Sequence, residues 1–285
     1  MTLLKQIMFL ICLQIVIVDE IKAQTSVSIG YGISTYKGDL SLNNFIDDLK
    51  HLGPAFSLSL KYPIFRRTKL RFGYFMGQLQ ADDSNSTDLA INIRNLNFFS
   101  TIHEFSLGGE YLISDLIMKE QNPIGIYVLG GLAYFDNKPY TNYNGLNVEL
   151  APLGTEGQAA PYSTSGYALM IGGGLQIDLN ASISITIELI GRLTGTDYLD
   201  DVSGDYPDYS ELSISNGFLA AALSDRRDEF LGAPEGTVDI VGIGESGRRG
   251  NPNSKDYYGS LLFSFLIRLG QSENNSNKGI LCPSM

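Results

Sequence analysis

Tyr257–Leu269 reads YYGSLLFSFLIRL. At every second residue, one face is Tyr257, Gly259, Leu261, Phe263, Phe265, Ile267 and Leu269, and the other is Tyr258, Ser260, Leu262, Ser264, Leu266 and Arg268. A β-strand sends alternate side chains to opposite faces. One face here is apolar and ringed; the other mixes small, polar and charged residues. A tilted strand needs about 9–11 residues to cross a bilayer, and this stretch is long enough. It is too short and too mixed for a spanning helix. It reads as the last strand of a transmembrane barrel, closing on the strand that begins near Ser26.

The same alternation recurs upstream. Strands are expected at Ser26–Ser34, Ala55–Tyr62, Lys69–Leu79, Phe98–Leu112, Ile124–Phe135, Tyr167–Leu179 and Ile183–Leu193. The second is the cleanest, with Phe56, Leu58, Leu60 and Tyr62 opposing Ala55, Ser57, Ser59 and Lys61. With the closing strand these make an even set, and their connections alternate long and short. Barrels of bacterial outer membranes have short periplasmic turns and longer external loops. The fold predicted is therefore all-β: an eight-stranded antiparallel up-and-down transmembrane β-barrel with long extracellular loops and short periplasmic turns. Both chain ends fall in the periplasm. The long stretches Asp136–Ser165 and Thr194–Lys255 read as connections, with short helices expected around Ser215–Arg226.

Residues 1–24 read as a secretory signal peptide: an early lysine, an apolar run from Ile7 to Val18, and cleavage after Ala23 or Gln24. Residues 25–270 form the expected outer-membrane barrel, and 271–285 a periplasmic tail. No other segment has the ~18 apolar residues of a membrane helix. A net charge of −11 argues against a nucleic-acid partner. Between Asp197 and Asp256, 13 acidic residues meet 5 basic ones, which reads as a solvated acidic loop. Of the two cysteines, Cys12 leaves with the signal peptide. Cys282 then stands alone in an exported chain, as half of an intermolecular bridge or as a free thiol.

A barrel of this size has an interior just wide enough for its own side chains. The inward positions carry Lys61, Arg71, Glu104, Glu110, Glu188, Arg192 and Arg268. Mixed charges in so narrow a space should pair, because an unpaired buried charge is costly. A plug of ion pairs is expected, not a selective pore.

Chemistry-bearing motifs are few. Gly242–Gly247 fits GxGxxG, but Arg248-Arg249-Gly250-Asn251-Pro252 follows where a phosphate site needs a helix. His51 and His103 are far apart and lack metal-ligand spacing. Pairing either with Ser34 or Ser100 as base and nucleophile is poorly supported. Asp197, Asp200, Asp201, Asp205 and Asp208 carry oxygen ligands suited to calcium without the spacing of a calcium loop. The expectation is a non-enzymatic protein without a cofactor or metal.

Several stretches resemble the Bacteroidetes outer-membrane barrel family that includes PorG of the type IX secretion system. They are Gly32 with Ser34–Leu40, Arg94–Phe98, Ala151–Gln158, Thr196–Ser203 and Cys282-Pro283. The resemblance implies a barrel fixed in outer-membrane lipid that takes part in protein secretion, and in some bacteria gliding. Its implied partners are a periplasmic ring lipoprotein (PorK or GldK) and that lipoprotein's partner (PorN or GldN); Cys282 either joins the ring lipoprotein by a disulfide or stays a free thiol. The other reading is a small OmpA-like barrel, structural or solute-passing, unrelated to secretion.

Overall fold

The computed structural model describes residues 24–41, 49–113, 124–237 and 248–269. Residues 1–23 of the expected signal peptide, the Gly242–Gly247 glycines and the tail bearing Cys282 lie outside them. Eight long strands close a barrel: β1 (Thr25–Lys37), β2 (Gly53–Phe65), β3 (Thr68–Asp82), β4 (Asn97–Leu112), β5 (Ile124–Asn137), β8 (Ser165–Asp178), β9 (Ile183–Thr194) and β10 (Tyr257–Leu269). Neighbours pair antiparallel round the ring in the order β3, β2, β1, β10, β9, β8, β5, β4, and β3 pairs β4 to close it. Among the described residues no helix is long and apolar enough to cross a membrane.

The seam is the pairing expected from the closing segment. β1 and β10 run antiparallel along their whole length, from Thr25 opposite Leu269, through Ser26 opposite Arg268, to Lys37 opposite Tyr257. Closure leaves no unpaired edge, which is how a sheet satisfies its backbone in lipid. Gly32 sits on this seam, where a β-carbon would fall 2.0 Å from the Leu261 carbonyl oxygen. Gly32→Ala is expected to prise β1 from β10 and cost about 1–3 kcal/mol, as overpacking does. Urea titration of the heat-modifiable band on gels checks it.

The wall sorts its side chains by polarity. Outward residues are apolar and exposed, among them Tyr31 at 67%, Phe105 at 65% and Leu189 at 66%. Tyr74, Phe105, Tyr134 and Tyr167 lie in register across β3, β4, β5 and β8. Their rings touch in pairs, Tyr74 on Phe105 at 5.2 Å and Tyr134 on Tyr167 at 5.3 Å. They form an aromatic row across the outer wall. Inward residues are small or paired, and the buried core holds Phe75, Ile102, Tyr127, Phe135, Met170, Ile190, Tyr258 and Leu262.

Several strands run beyond the expected ends. β1 reaches Lys37 and β3 reaches Asp82, because polar residues above the apolar wall still pair there. The stretch after β5 contains a hairpin, β6 (Tyr140–Tyr143) and β7 (Leu146–Glu149), hung on β4 through Tyr140 opposite Phe99. Its turn is Asn144-Gly145 with φ of 51° and 80°, the left-handed pair that a two-residue hairpin requires. The β3–β4 connection carries helix α1 (Leu89–Arg94), and the β9–β10 connection carries α2 (Tyr209–Ser215), α3 (Phe218–Ser224) and α4 (Arg227–Leu231). The short helices expected around Ser215–Arg226 are α2 and α3, divided at Asn216-Gly217, where Gly217 takes φ of 96°.

Candidate functional site: the filled lumen and its loop cap

The inward charges form two tiers. Nearer the short turns, Lys61 Nζ lies 2.8 Å from Glu110 Oε1 and 3.1 Å from Glu188 Oε1. Arg71 Nη1 donates to the same two oxygens at 3.0 and 2.8 Å, and its Nη2 reaches Glu188 Oε2 at 3.0 Å. The Tyr127 hydroxyl donates to Glu188 Oε1 at 2.6 Å. Strand geometry places Lys61 and Arg71 opposite each other on β2 and β3, so two cations converge on Glu188 from across the lumen. Lys61 and Glu188 are fully buried.

Four residues further along β9, Arg192 Nε donates to Glu104 Oε2 at 2.9 Å, and the Tyr258 hydroxyl donates to the same oxygen at 2.7 Å. The guanidinium lies 4.3 Å from the centre of the Phe75 ring and also bonds Ser260. Lys61, Arg71 and Arg192 thus face Glu104, Glu110 and Glu188, while Lys69, opposite Glu110 on β3, adds a further cation toward the short turns. The hydroxyls of Tyr127 and Tyr258 complete the two tiers; the signal for them in the sequence is a tyrosine on an otherwise small-residue inward face.

Arg268 does not join these tiers. Near the end of β10, it pairs with Asp178 at 2.6 Å and donates to the carbonyls of Asn180 and Ala181 in the β8–β9 turn. At the rim its long side chain reaches water and the turn more readily than the packed interior.

The long-loop end is covered by a cap, and the acidic loop expected to be solvated supplies its centre. Asp197, Asp200 and Asp201 are all buried. Asp201 accepts from Arg249 at 3.1 Å, Thr155 at 2.6 Å and Tyr162 at 2.8 Å. Arg249 also holds Glu156 at 2.9 Å, the Ser224 carbonyl at 3.0 Å and the Asp201 carbonyl. Glu156 in turn accepts the backbone N–H groups of Ser203 and Gly204. Arg94 clamps Asp83 through two bonds of 2.6 and 2.7 Å and donates to the carbonyls of Asp39 and Arg249. Asp208 caps α2, and Asp205 pairs backbone to backbone with Arg248. Among the described residues no group of three or more His, Cys, Asp or Glu side chains converges as metal ligands.

Electrostatics follow burial. Burial pushes the Asp201 carboxyl up, against the pull of Arg249. Burial likewise raises Asp83 despite its Arg94 clamp. For Arg249, burial pulls downward, but Asp201 and Glu156 outweigh it and hold the guanidinium above its ordinary value.

Three of the stretches quoted above as family-like, after β1, before β4 and in the β7–β8 loop, meet the fourth, after β9, inside this cap. Among the described residues His51 bonds Asn85, His103 bonds Tyr74, Ser100 donates to Asn137 and Ser34 to the Gln78 carbonyl.

A family model described as a domain of unknown function, DUF6089, matches residues 5–219. No curated protein matches the chain. Among solved structures, it is similar to the Neisserial surface protein A at 9% identity, over 86% of this chain and 98% of that one, with a TM-score of 0.43. It is similar to a major outer membrane protein of Thermus thermophilus at 13% identity, over 86% and 99%, with a TM-score of 0.42. The attachment invasion locus protein Ail of Yersinia pestis, in complex with the heparin analogue sucrose octasulfate, shares 12% identity over 87% and 99%, with a TM-score of 0.41.

Proposed function

We propose, from the premise that the chain belongs to the DUF6089 family, that it spans the outer membrane as a sealed, non-enzymatic barrel whose work is done by its surfaces. The observation that carries this reading is the filled lumen: buried ion pairs fill the barrel centre, and the loops close over one mouth. The apolar wall with its aromatic row supports seating in lipid. The long-loop end then faces outward, and the short turns face the periplasm.

The finer role we propose is a component of type IX protein secretion, and in gliding bacteria of that machinery, anchoring a PorK/PorN-type periplasmic ring. It rests on the resemblance in the loop stretches. Because those stretches are spent inside the cap, ring contacts fall to periplasmic parts, and Cys282 is the candidate tie to the ring lipoprotein. The alternative is a small OmpA-like barrel unrelated to secretion.

Affinity capture of the tagged protein from cross-linked envelopes tests the role. Co-purified ring lipoprotein, with secretion lost on deletion, is the expected result; a capture free of ring proteins and intact secretion contradict it. Non-reducing gels test the tie separately: the wild type should show a slower band that Cys282→Ser abolishes, and identical lanes would sink the disulfide.

A further inference from the structure

The cap holds more buried carboxylates than its cations serve. Arg94 is taken by Asp83, Arg249 by Glu156 and Asp201, Arg226 by Glu229, and Arg227 by Asp225. Asp200 and Asp256, both about 1% exposed, receive no cation. They meet instead around one phenol. Asp200 Oδ2 accepts the Tyr36 hydroxyl and the Leu40 N–H at 3.2 Å, while its Oδ1 accepts the Val202 N–H at 2.9 Å. Asp256 Oδ2 accepts the Leu199 N–H at 2.8 Å, and its Oδ1 faces the same Tyr36 oxygen at 3.4 Å.

A phenol has one hydrogen, and the shorter contact gives it to Asp200. Asp256 Oδ1 then faces an oxygen with nothing to donate, unless Asp256 itself carries a proton and donates it to Tyr36. Gly38 packs against the pair: a β-carbon there would fall 1.9 Å from Asp256 Oδ1 and 2.1 Å from the Tyr36 oxygen.

We propose that Asp256, Tyr36 and Asp200 form a proton-held latch that fastens the end of β1, through Leu40, to both ends of the β9–β10 connection at the barrel mouth. A proton on the carboxyl pair closes the latch; its loss leaves two buried negative charges against one hydroxyl and loosens the cap. Other groups facing the pair sharpen the effect. Asp39, after β1, and Asp197, after β9, add negative charge near Asp256. Arg249, before β10, offsets part of it at Asp200, and Arg94, at the end of α1, is also near Asp200. Burial holds both carboxyls above the ordinary range, and at Asp256 the charge of Asp200 adds to it. The latch's contribution is therefore full in acid, below the pH at which free carboxyls ionise (about 4). It is lost as pH rises through the elevated folded values.

The test uses the full chain reconstituted in liposomes, in the presence of a metal chelator. Infrared spectra at neutral pH should show a protonated-carboxyl carbonyl band that Asp256→Asn removes, since an asparagine amide replaces the donated proton. Proteolysis of the cap tracks its open population when opening is fast. Wild-type cleavage should rise about tenfold or more between about pH 6 and about pH 10. Asp256→Asn should cut that rise to a small fraction. Asp200→Asn should do the same, and serves if the first variant does not fold, as judged by its heat-modifiable band. An unchanged infrared spectrum, an equal pH response in the variants, or a response that needs added divalent cation would overturn the latch.

Discussion

Glu188→Ala is expected to lower the barrel's stability by about 3–5 kcal/mol, the cost of breaking a buried ion pair by removing one partner. Glu188 takes Arg71 through two bonds, Lys61 at 3.1 Å and the Tyr127 hydroxyl at 2.6 Å. Without it Glu110 alone faces two cations, one charge is left buried without compensation, and the phenol loses its acceptor. Urea titration in lipid vesicles, followed by tryptic protection, measures the loss. The companion variant sharpens the cause. Glu188→Leu combined with Arg71→Leu restores charge balance, with Lys61 kept on Glu110, and should cost less than the sum of the two single changes by about 1–3 kcal/mol. Additive losses would mean that the pair matters only as packing volume.

Arg249→Ala is expected to open the cap and leave the barrel standing. One guanidinium holds Glu156, Asp201 and two backbone carbonyls, and so ties the segment before β10 to the β7–β8 and β9–β10 connections. Its loss strands two buried carboxylates, again worth about 3–5 kcal/mol, but of local closure. Protease should then cut within residues 138–164 and 195–256 at rates far above wild type, while the heat-modifiable band persists. Arg249→Lys should fall between, because an ammonium keeps the charge but not the planar fork that reaches both carboxylates at once. Loss of the barrel band together with the cap would show that the two are one cooperative unit.

The wall was legible in the sequence because a strand with one face in lipid must alternate. Phe56, Leu58, Leu60 and Tyr62 could not face inward without driving Lys61 outward, so register, strand set and closing seam followed from a period of two. The inward charges were legible for the same reason, Arg268 excepted: periodicity gives the side of the wall but not the depth, and the rim differs from the centre. The cap was not legible. Asp200 and Asp256 are 56 positions apart in an acidic stretch, and nothing local distinguishes a buried aspartate from a solvated one. Arg249 follows a glycine pattern that lacks the helix of a phosphate site, and nothing local marks it as the clasp of the cap. The hairpin was available, since Asn144-Gly145 between Tyr143 and Leu146 is a strong turn signal, but the length of the connection hid it.

Planar-bilayer recording of the purified full-length barrel tests most directly whether the lumen is sealed. Silent membranes after confirmed insertion are the predicted result, because Lys61, Arg71, Glu110 and Glu188 close the barrel's centre on themselves and the cap closes one end. Stable, stepwise conductance from the wild-type protein would contradict the account and make the barrel a channel.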